Sequence, residues 1–252
     1  MLRASGVVKS HDGTPALRGV SLAVRKGEVL AVTGPRGSGK TTLLGCLSGQ
    51  LPVDEGEVWF NDLPLHTLSR ADRERLRREQ FGWVGSQPDL IPELTAAENV
   101  ALPLLLAGTG RKAARIAAAE WLERLDVADC ARRRPAELIQ SQRQRIAVAR
   151  ALAPMPAVVF ADDPVAPLHR ANQEQVLRVL TTAARSHGLT MVLALHEPAQ
   201  ARHADRTVAL LDGQAPAPAD PAAKPAPAAD TDVPDSTDAP LAATAPAAAA
   251  PA

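Results

Sequence analysis

The stretch Gly34-Pro35-Arg36-Gly37-Ser38-Gly39-Lys40-Thr41-Thr42 decides the fold, because it fits the pattern G-x-x-x-x-G-K-[ST]. It follows an apolar strand pattern and opens a helical one. Glycines let such a loop curl so that successive backbone N–H groups point at phosphate oxygens. The pattern predicts that these nine residues, the phosphate loop, bind a nucleotide. Lys40 is expected to reach the β- and γ-phosphates and Thr41 to ligate Mg²⁺. The alternative is a glycine-rich turn that merely precedes a helix.

A second motif supplies the acidic group that a phosphate loop needs for its metal ion. The apolar run Ala157–Ala161 has a strand pattern and ends at Asp162. We expect Asp162 to be the second protein ligand of Mg²⁺. An aspartate that only ends a strand is the alternative, and the phosphate loop upstream favours the metal role.

Strand and helix patterns alternate along the chain, which predicts an α/β fold. The early strand patterns have no long helix between them and are expected to pair antiparallel. The later ones are apolar on both faces, as in buried parallel strands. The strand patterns are Gly19–Val24, Glu28–Thr33, Glu57–Phe60, Val158–Ala161, Thr190–Leu195 and Thr207–Leu211. The helical patterns are Gly39–Gln50, Arg70–Gln80, Arg111–Leu125, Ser141–Leu152 and Asn172–His187.

One long segment differs from the rest of the α/β pattern. Residues Asp62–Asp129 are mostly helical in pattern and poor in strand signals, which predicts a helical insertion in the sheet domain. With the helical run that follows, we expect a helical subdomain at about 62–155 within a domain of residues 1–213.

Composition excludes several classes of function. Among 252 residues, Lys+Arg and Asp+Glu are both 28, so a strongly basic nucleic-acid binder is excluded by charge alone. Three Trp, three Phe and no Tyr leave few aromatic faces on which single-stranded bases would stack. Two cysteines give neither a disulfide framework nor a metal cluster.

The composition changes abruptly after Gly213. The last 39 residues contain 17 Ala and 9 Pro, and five Asp with one Lys give them a net charge of −4. So few large apolar side chains cannot offset the entropy of ordering the chain, and the prolines prevent a helix. We therefore expect residues 214–252 to be a disordered tail.

No segment has the pattern of a secretory signal or a membrane span. The most apolar stretch, Val100–Ala107, has eight residues, whereas a span needs about 20. The sequence predicts a cytoplasmic chain, or one held at a membrane through partners.

Further segments make residues 1–213 resemble the ATP-binding subunit of ABC transporters. These segments are Gln144–Leu152, placed before the Asp162 strand, His196 at the end of a strand pattern, and Asp212-Gly213. The run Leu90–Pro103 is similar to the lipoprotein-export, macrolide-efflux and cell-division branch. The resemblance implies a P-loop NTPase of ABC type: a mixed sheet core with antiparallel N-terminal strands and a helical subdomain.

The resemblance also implies cofactors and partners. The cofactors are ATP and Mg²⁺, and His196 takes the place of the catalytic switch histidine. Two ATP-binding subunits form a head-to-tail homodimer or heterodimer that sandwiches the nucleotides. The dimer docks on transmembrane permease subunits, so the chain is expected on the cytoplasmic, inner face of the cell membrane, with no nucleic-acid partner.

The sequence departs from the family pattern at its signature. Where the family has L-S-G-G-Q, this chain has Leu138, Ile139, Gln140, Ser141 and Gln142, here called the signature segment. In the family this loop presents a hydroxyl and backbone N–H groups to the γ-phosphate held by the opposite subunit. Ile139 has no hydroxyl, Gln140 hinders close backbone approach, and Ser141 is the residue that could recover one contact.

Other family positions are also altered. Asp163 stands in place of the catalytic glutamate, with a carboxylate one methylene shorter. Counting back from Pro92 puts Ser86 at the position of the metal-linked glutamine, and a shift of one residue brings in Gln87 as a candidate ligand. His169 replaces the aspartate of the next loop. His11 stands where the adenine-stacking aromatic is expected, or is a solvated loop histidine.

These departures leave two hypotheses for function. In the first, the chain is an ABC-type ATPase subunit that couples ATP binding and slow, impaired hydrolysis to a separate permease. In the second, it is a nucleotide-binding pseudoenzyme that acts as a regulatory or structural partner of a membrane complex with negligible hydrolysis.

Overall fold

A computed structural model describes residues 1–166 and 168–216. Most of the predicted disordered tail, residues 217–252, lies outside the described residues. Gln214, which we assigned to the tail, lies inside them and exchanges two backbone hydrogen bonds with Leu211 (2.8 and 2.9 Å). Ala215 packs against the apolar core.

The described chain forms nine strands and six α-helices. The strands are β1 (Leu2–His11), β2 (Thr14–Val24), β3 (Val29–Thr33), β4 (Glu55–Phe60), β5 (Leu63–Pro64), β6 (Phe81–Val84), β7 (Val158–Asp162), β8 (Thr190–Leu195) and β9 (Arg206–Ala209). The helices are α1 (Lys40–Leu47), α2 (Arg70–Gln80), α3 (Ala96–Leu106), α4 (Arg111–Arg124), α5 (Gln140–Leu152) and α6 (Arg170–Ser186).

The strands form two sheets of different type. The first is antiparallel in the order β2-β1-β4-β5, and its first hairpin turns at Asp12 and Gly13, both with positive φ. The second is parallel in the order β6-β7-β8-β3-β9. Strands β3 and β8 are buried on both faces, as their uninterrupted apolar sequences require. The antiparallel arrangement expected of the early strands is confirmed for β2 and β4. It is wrong for β3, which pairs in parallel with the later strands β8 and β9. The parallel arrangement expected of the later strands is confirmed.

Two apolar cores lie on opposite faces of the parallel sheet. One joins that sheet to α3, α4, α5 and α6. The other joins it to α1 and the antiparallel sheet. A row of three aromatic rings crosses the second core. Phe60 of β4 contacts Phe81 of β6, with 5.0 Å between the ring centroids, and Phe81 contacts Phe160 of β7, with 5.4 Å between the centroids. These edge-to-face ring contacts join the two sheets.

Residues 62–129, expected to be mostly helical and part of a helical subdomain at about 62–155, contain two strands near their beginning. Strand β5 belongs to the antiparallel sheet, and β6 pairs with β7 in the parallel sheet. Strand β6 has only four residues and follows α2 directly. Its sequence therefore has too little alternation to be predicted as a strand. Helices α3, α4 and α5 pack on one another and form the helical part of the segment.

Two further elements were not predicted. Strand β1 was missed because its sequence mixes apolar and polar residues without strict alternation, and its pairing with β2 contains register shifts. Helix α3 was missed because Pro103 interrupts an apolar run. A signal was present, because Thr95 and Glu98 form a capping box with reciprocal hydrogen bonds (3.3 and 2.8 Å). Within residues 1–166 and 168–216, no helix combines the length and apolar character needed to cross a membrane.

Replacement of Phe160 by alanine tests the contribution of the row of aromatic rings to stability. Phe160 is fully buried between the two sheets, so the variant leaves a cavity and loses the ring contacts with Phe81 and Trp83. We expect the free energy of unfolding to fall by about 3–5 kcal/mol in denaturant titration. The control is Ile116→Ala at a half-exposed position of α4, with a change of about 0.5 kcal/mol or less. Equal losses in the two variants would contradict this account.

Candidate functional site

The phosphate loop fits between two backbone segments that leave no room for side chains. A Cβ atom on Gly34 would overlap the carbonyl oxygen of Leu210, and one on Gly39 would overlap that of Ala16. Gly39 also has φ +98° at the start of α1, a conformation that glycine adopts without strain. The glycines of the motif therefore let the loop pass between β2 and the end of β9.

Lys40, the first residue of α1, is buried, with its ammonium group folded over the loop. Nζ donates to the carbonyl oxygens of Gly34 and Pro35, both at 2.7 Å. Burial lowers the pKa of Lys40, while the carboxylates of Asp163 and Asp162 act in the opposite direction. The ammonium therefore lies where the loop backbone curves, between the loop and the two acidic residues.

Thr41 and Asp162 lie together beside the loop. The Thr41 hydroxyl donates to Asp162 Oδ1 at 3.1 Å, across 121 positions of sequence. Burial raises the pKa of Asp162, and the hydrogen bond from Thr41 opposes that rise. A hydroxyl and a carboxylate oxygen are ligands that Mg²⁺ accepts, so the pair fits the metal ion that the sequence indicates. Within the described part of the chain, no cluster of three His, Cys, Asp or Glu side chains forms a separate metal site.

Asp163 and His196 form a close pair next to this site. Asp163 follows β7 with φ +47°, and its backbone N–H donates to Ala194 at 3.0 Å. Its Oδ2 lies 2.5 Å from His196 Nε2. Burial raises the pKa of Asp163, and His196 opposes that rise. The buried Nδ1 of His196 has no hydrogen-bond partner among residues 1–166 and 168–216.

The structure thus brings together the residues predicted to handle phosphate, metal and water. They stand at the carboxyl ends of adjacent parallel strands, where open α/β sheets bind ligands. This group is Lys40, Thr41, Asp162, Asp163 and His196. His11 lies near it, with Nε2 at 3.2 Å from Thr42 Oγ1.

The remaining candidates are not joined to this group. Gln87 is exposed and Ser86 is half-buried in the loop after β6. Among the residues described, no hydrogen bond or ion pair connects either of them, or the signature segment, to the phosphate loop. Their predicted roles rest on the sequence.

The signature segment precedes and opens α5. Leu138 is buried, whereas Ile139 is 65% exposed at the position before the helix. The Gln142 side chain accepts from the backbone N–H of Ile139 at 3.1 Å. Gln140 and Ser141 form the first two helical positions. An exposed isoleucine stands where a capping hydroxyl would satisfy the helix end.

Sequence reasoning missed one contact of the phosphate loop. The backbone N–H of Gly213 donates to Ser38 at 3.1 Å, and its carbonyl accepts from Arg18 at 2.8 Å. A Cβ on Gly213 would lie 2.6 Å from the Ala16 carbonyl oxygen. The Asp212-Gly213 pair was noted only as part of the family resemblance, and no local signal in the sequence indicates its partner in the loop.

The fold and the loop define a nucleotide-binding protein of the phosphate-loop class. Residues 17–166 match the ABC transporter family. The lipoprotein-releasing system ATP-binding protein LolD of Koribacter versatilis is 38% identical over 194 residues, 77% of this chain and 87% of that protein. The chain belongs to the ABC transporter family, as an ATP-binding subunit.

Two other comparisons agree with this assignment. The LolD protein of Bacteroides fragilis is 34% identical over 213 residues, 84% of this chain and 99% of that protein. A solved dimeric ATP-binding cassette, in a post-hydrolysis state bound to ADP and Pi, has 32% identity and a TM-score of 0.80. That match covers 85% of this chain and 96% of the other. The predicted fold class and family resemblance are confirmed, and the pseudoenzyme alternative is not favoured.

The variant Gly213→Ala tests the contact between the turn and the phosphate loop. The added methyl group pushes the turn away from Ala16 and breaks its hydrogen bond to Ser38, so we expect the affinity for ATP to fall about tenfold in calorimetric titration. Gly188→Ala is the matched control, because Gly188 also has positive φ (+62°) but open space around its Cβ. Equal ATP affinities in the two variants would refute a role for Gly213.

Proposed function

We propose that this chain is the ATP-binding subunit of a lipoprotein-export type complex and couples Mg-ATP binding to a separate transmembrane permease. The observation that carries the proposal is the gathering of Lys40, Thr41, Asp162, Asp163 and His196 at one end of the parallel sheet. Lipoprotein-releasing relatives, similar along most of their length, support the substrate class and the partner. Through that permease the chain would lie on the inner face of the cell membrane.

Each residue of the gathered group has a role in this proposal. Gly34–Thr42 would surround the phosphates with backbone N–H groups, and Lys40 would exchange its carbonyl contacts for phosphate oxygens. Thr41 and Asp162 would hold Mg²⁺, with Gln87 as a further candidate ligand. The metal ion would neutralise charge on the β- and γ-phosphates. His11 would contact the adenine, since it stands beside the N-terminus of α1.

Asp163 and His196 would act on the attacking water. Asp163 holds the water and accepts its proton, and His196 orients the carboxylate through the contact at 2.5 Å. Because the carboxylate of aspartate is one methylene shorter than that of glutamate, it reaches less far from β7. A catalytic group misplaced by about 1 Å loses about 100-fold in rate. We infer that hydrolysis is slow.

The signature segment would limit a different event, the closing of a dimer over ATP. A head-to-tail dimer, homomeric or heteromeric, would place residues 138–142 of one subunit over the phosphate loop of the other. The exposed side chain of Ile139 offers the γ-phosphate no hydrogen bond, and Ser141 is left as the hydroxyl donor. Each missing contact to a charged group costs about 1.5–3 kcal/mol. Closure would therefore need more ATP than in a subunit with an intact signature.

Lys40→Met tests ATP binding. The variant keeps most of the side-chain volume and removes the charge at the phosphates, so the affinity for Mg-ATP is expected to fall by at least about tenfold. Isothermal titration calorimetry measures the change. The matched control is Lys112→Met on the exposed surface of α4, where affinity stays unchanged. Wild-type affinity in the Lys40 variant would reject the assigned role.

Slow hydrolysis is tested by restoring the two altered motifs separately and together. Asp163→Glu alone is expected to help modestly, because few dimers close. Ile139→Ser with Gln140→Gly and Ser141→Gly should strengthen ATP-dependent dimerisation more than turnover. The combined variant should exceed the sum of the two gains, as for groups that act as a unit.

Phosphate release and size-exclusion runs in ATP provide the two measurements for these variants. The wild-type turnover is expected to lie below about 1 per second, which is below the usual range of enzymes. A faster wild-type rate, or purely additive gains, would count against the assignment of both defects.

A further inference from the structure

A cleft of about 540 Å³, here called the α4/α6 cleft, lies between the end of α4 and the second half of α6. Its apolar surface comes from Trp121 and Leu125 on one side and from Val179 and Ala183 on the other. The described residues that line it belong neither to the phosphate loop nor to the signature segment. Sites for small molecules are concave, measure about 300–1,000 Å³ and are mostly apolar with a few polar groups. The α4/α6 cleft has the size and the surface of such a site.

Two guanidinium groups line the cleft, that of Arg124 from α4 and that of Arg178 from α6. Arg124 is held in place, because its guanidinium carbon lies 5.0 Å from the centre of the Trp121 ring and its Nη1 lies 2.9 Å from His187 Nε2. A guanidinium has donors only, so the histidine nitrogen accepts this hydrogen bond. Since a guanidinium carries five N–H donors, most of those on Arg124 remain available to a ligand.

No carboxylate within residues 1–166 and 168–216 pairs with either guanidinium, and no acidic residue among them lines the cleft. Other arginines of this region do have such partners. Arg185 of α6 pairs with Asp205 at 2.8 Å. Glu174 lies four residues before Arg178, a spacing at which helical side chains can pair, yet it pairs with Arg202 instead. Two unneutralised positive charges therefore line one apolar cavity.

We propose that the α4/α6 cleft binds a small organic anion, in which a carboxylate or phosphate group is carried on an apolar body. The forked donors of Arg124 and Arg178 match the oxygens of either group, and the apolar body would lie against Trp121. An inorganic anion would leave the apolar surface without a partner. An uncharged apolar molecule would leave the two guanidinium groups without one.

Isothermal titration calorimetry on the full chain tests the proposal. Octanoate and octyl phosphate are the complete probes, because each joins an anionic group to an apolar body. The partial probes, 1-octanol and inorganic phosphate, supply one feature each. At least one complete probe should bind at a single site about tenfold or more tightly than either partial probe, as loss of a hydrogen bond to a charged group predicts.

Every outcome of these titrations bears on the proposal. Binding of one complete probe alone supports it and identifies the anionic group. Binding of neither complete probe, or equally tight binding of a partial probe, would overturn it.

Two variants test whether the probe binds in the α4/α6 cleft. Arg178→Met removes a guanidinium that has no partner in the described part of the chain, so the fold should be retained while the affinity for the probe falls about tenfold. Thr182→Trp fills the cleft from an exposed position of α6. It is expected to abolish probe binding although both arginines remain.

Arg115→Met is the matched control. Arg115 is exposed on α4, nine residues before Arg124, and about two and a half helical turns direct it away from the cleft. This variant should bind the probe within about twofold of the wild type. Unchanged affinity in Arg178→Met, or an equal loss in Arg115→Met, would overturn the proposal. A wild type that binds the probe but not ATP would reject the proposed function and leave the proposal for the cleft intact.

Discussion

The phosphate loop can lie where it does only because three residues at close backbone contacts are glycines, which have no Cβ atom. Gly34 passes the carbonyl of Leu210, while Gly39 and Gly213 pass that of Ala16, each too closely for a Cβ. The loop is therefore shaped by β2 on one side and by the chain after β9 on the other, rather than by its own sequence alone. Lys40 can fold over the loop because this close packing holds the carbonyls of Gly34 and Pro35 in one place.

The chemistry of the site follows from the carboxylates at the end of β7 and the polar side chains that contact them. Two consecutive carboxylates, Asp162 and Asp163, share the end of β7 and are both partly removed from water. Each has a different partner, the Thr41 hydroxyl for the first and the His196 imidazole for the second. In the proposed function, the two adjacent acidic residues serve metal and water separately, because the turn after β7 directs their side chains to different partners.

The sequence predicted the parts of the site that depend on local pattern. The glycine spacing, the apolar strand before Asp162 and the helix after Lys40 all have strong short-range signals, and the structure contains them. Strand β6 and helix α3 were missed, because β6 is stabilised by its long-range pairing with β7 and α3 continues through Pro103. The hydrogen bonds from Gln144 to Gly85 and from Arg150 to Asp89 join residues about 60 positions apart, so no local signal encodes them.

The strand order has a consequence for synthesis on the ribosome. Strands β1, β2 and β4 pair among residues 2–60, so the antiparallel sheet can form early. Strand β3 pairs with β8 and β9, which are made more than 150 residues later. At about 5–20 residues per second, the strand that leads into the phosphate loop waits roughly 8 to 30 seconds for its partners. During that interval its apolar faces are candidates for chaperone binding, and the nucleotide site is among the last parts of the molecule to form.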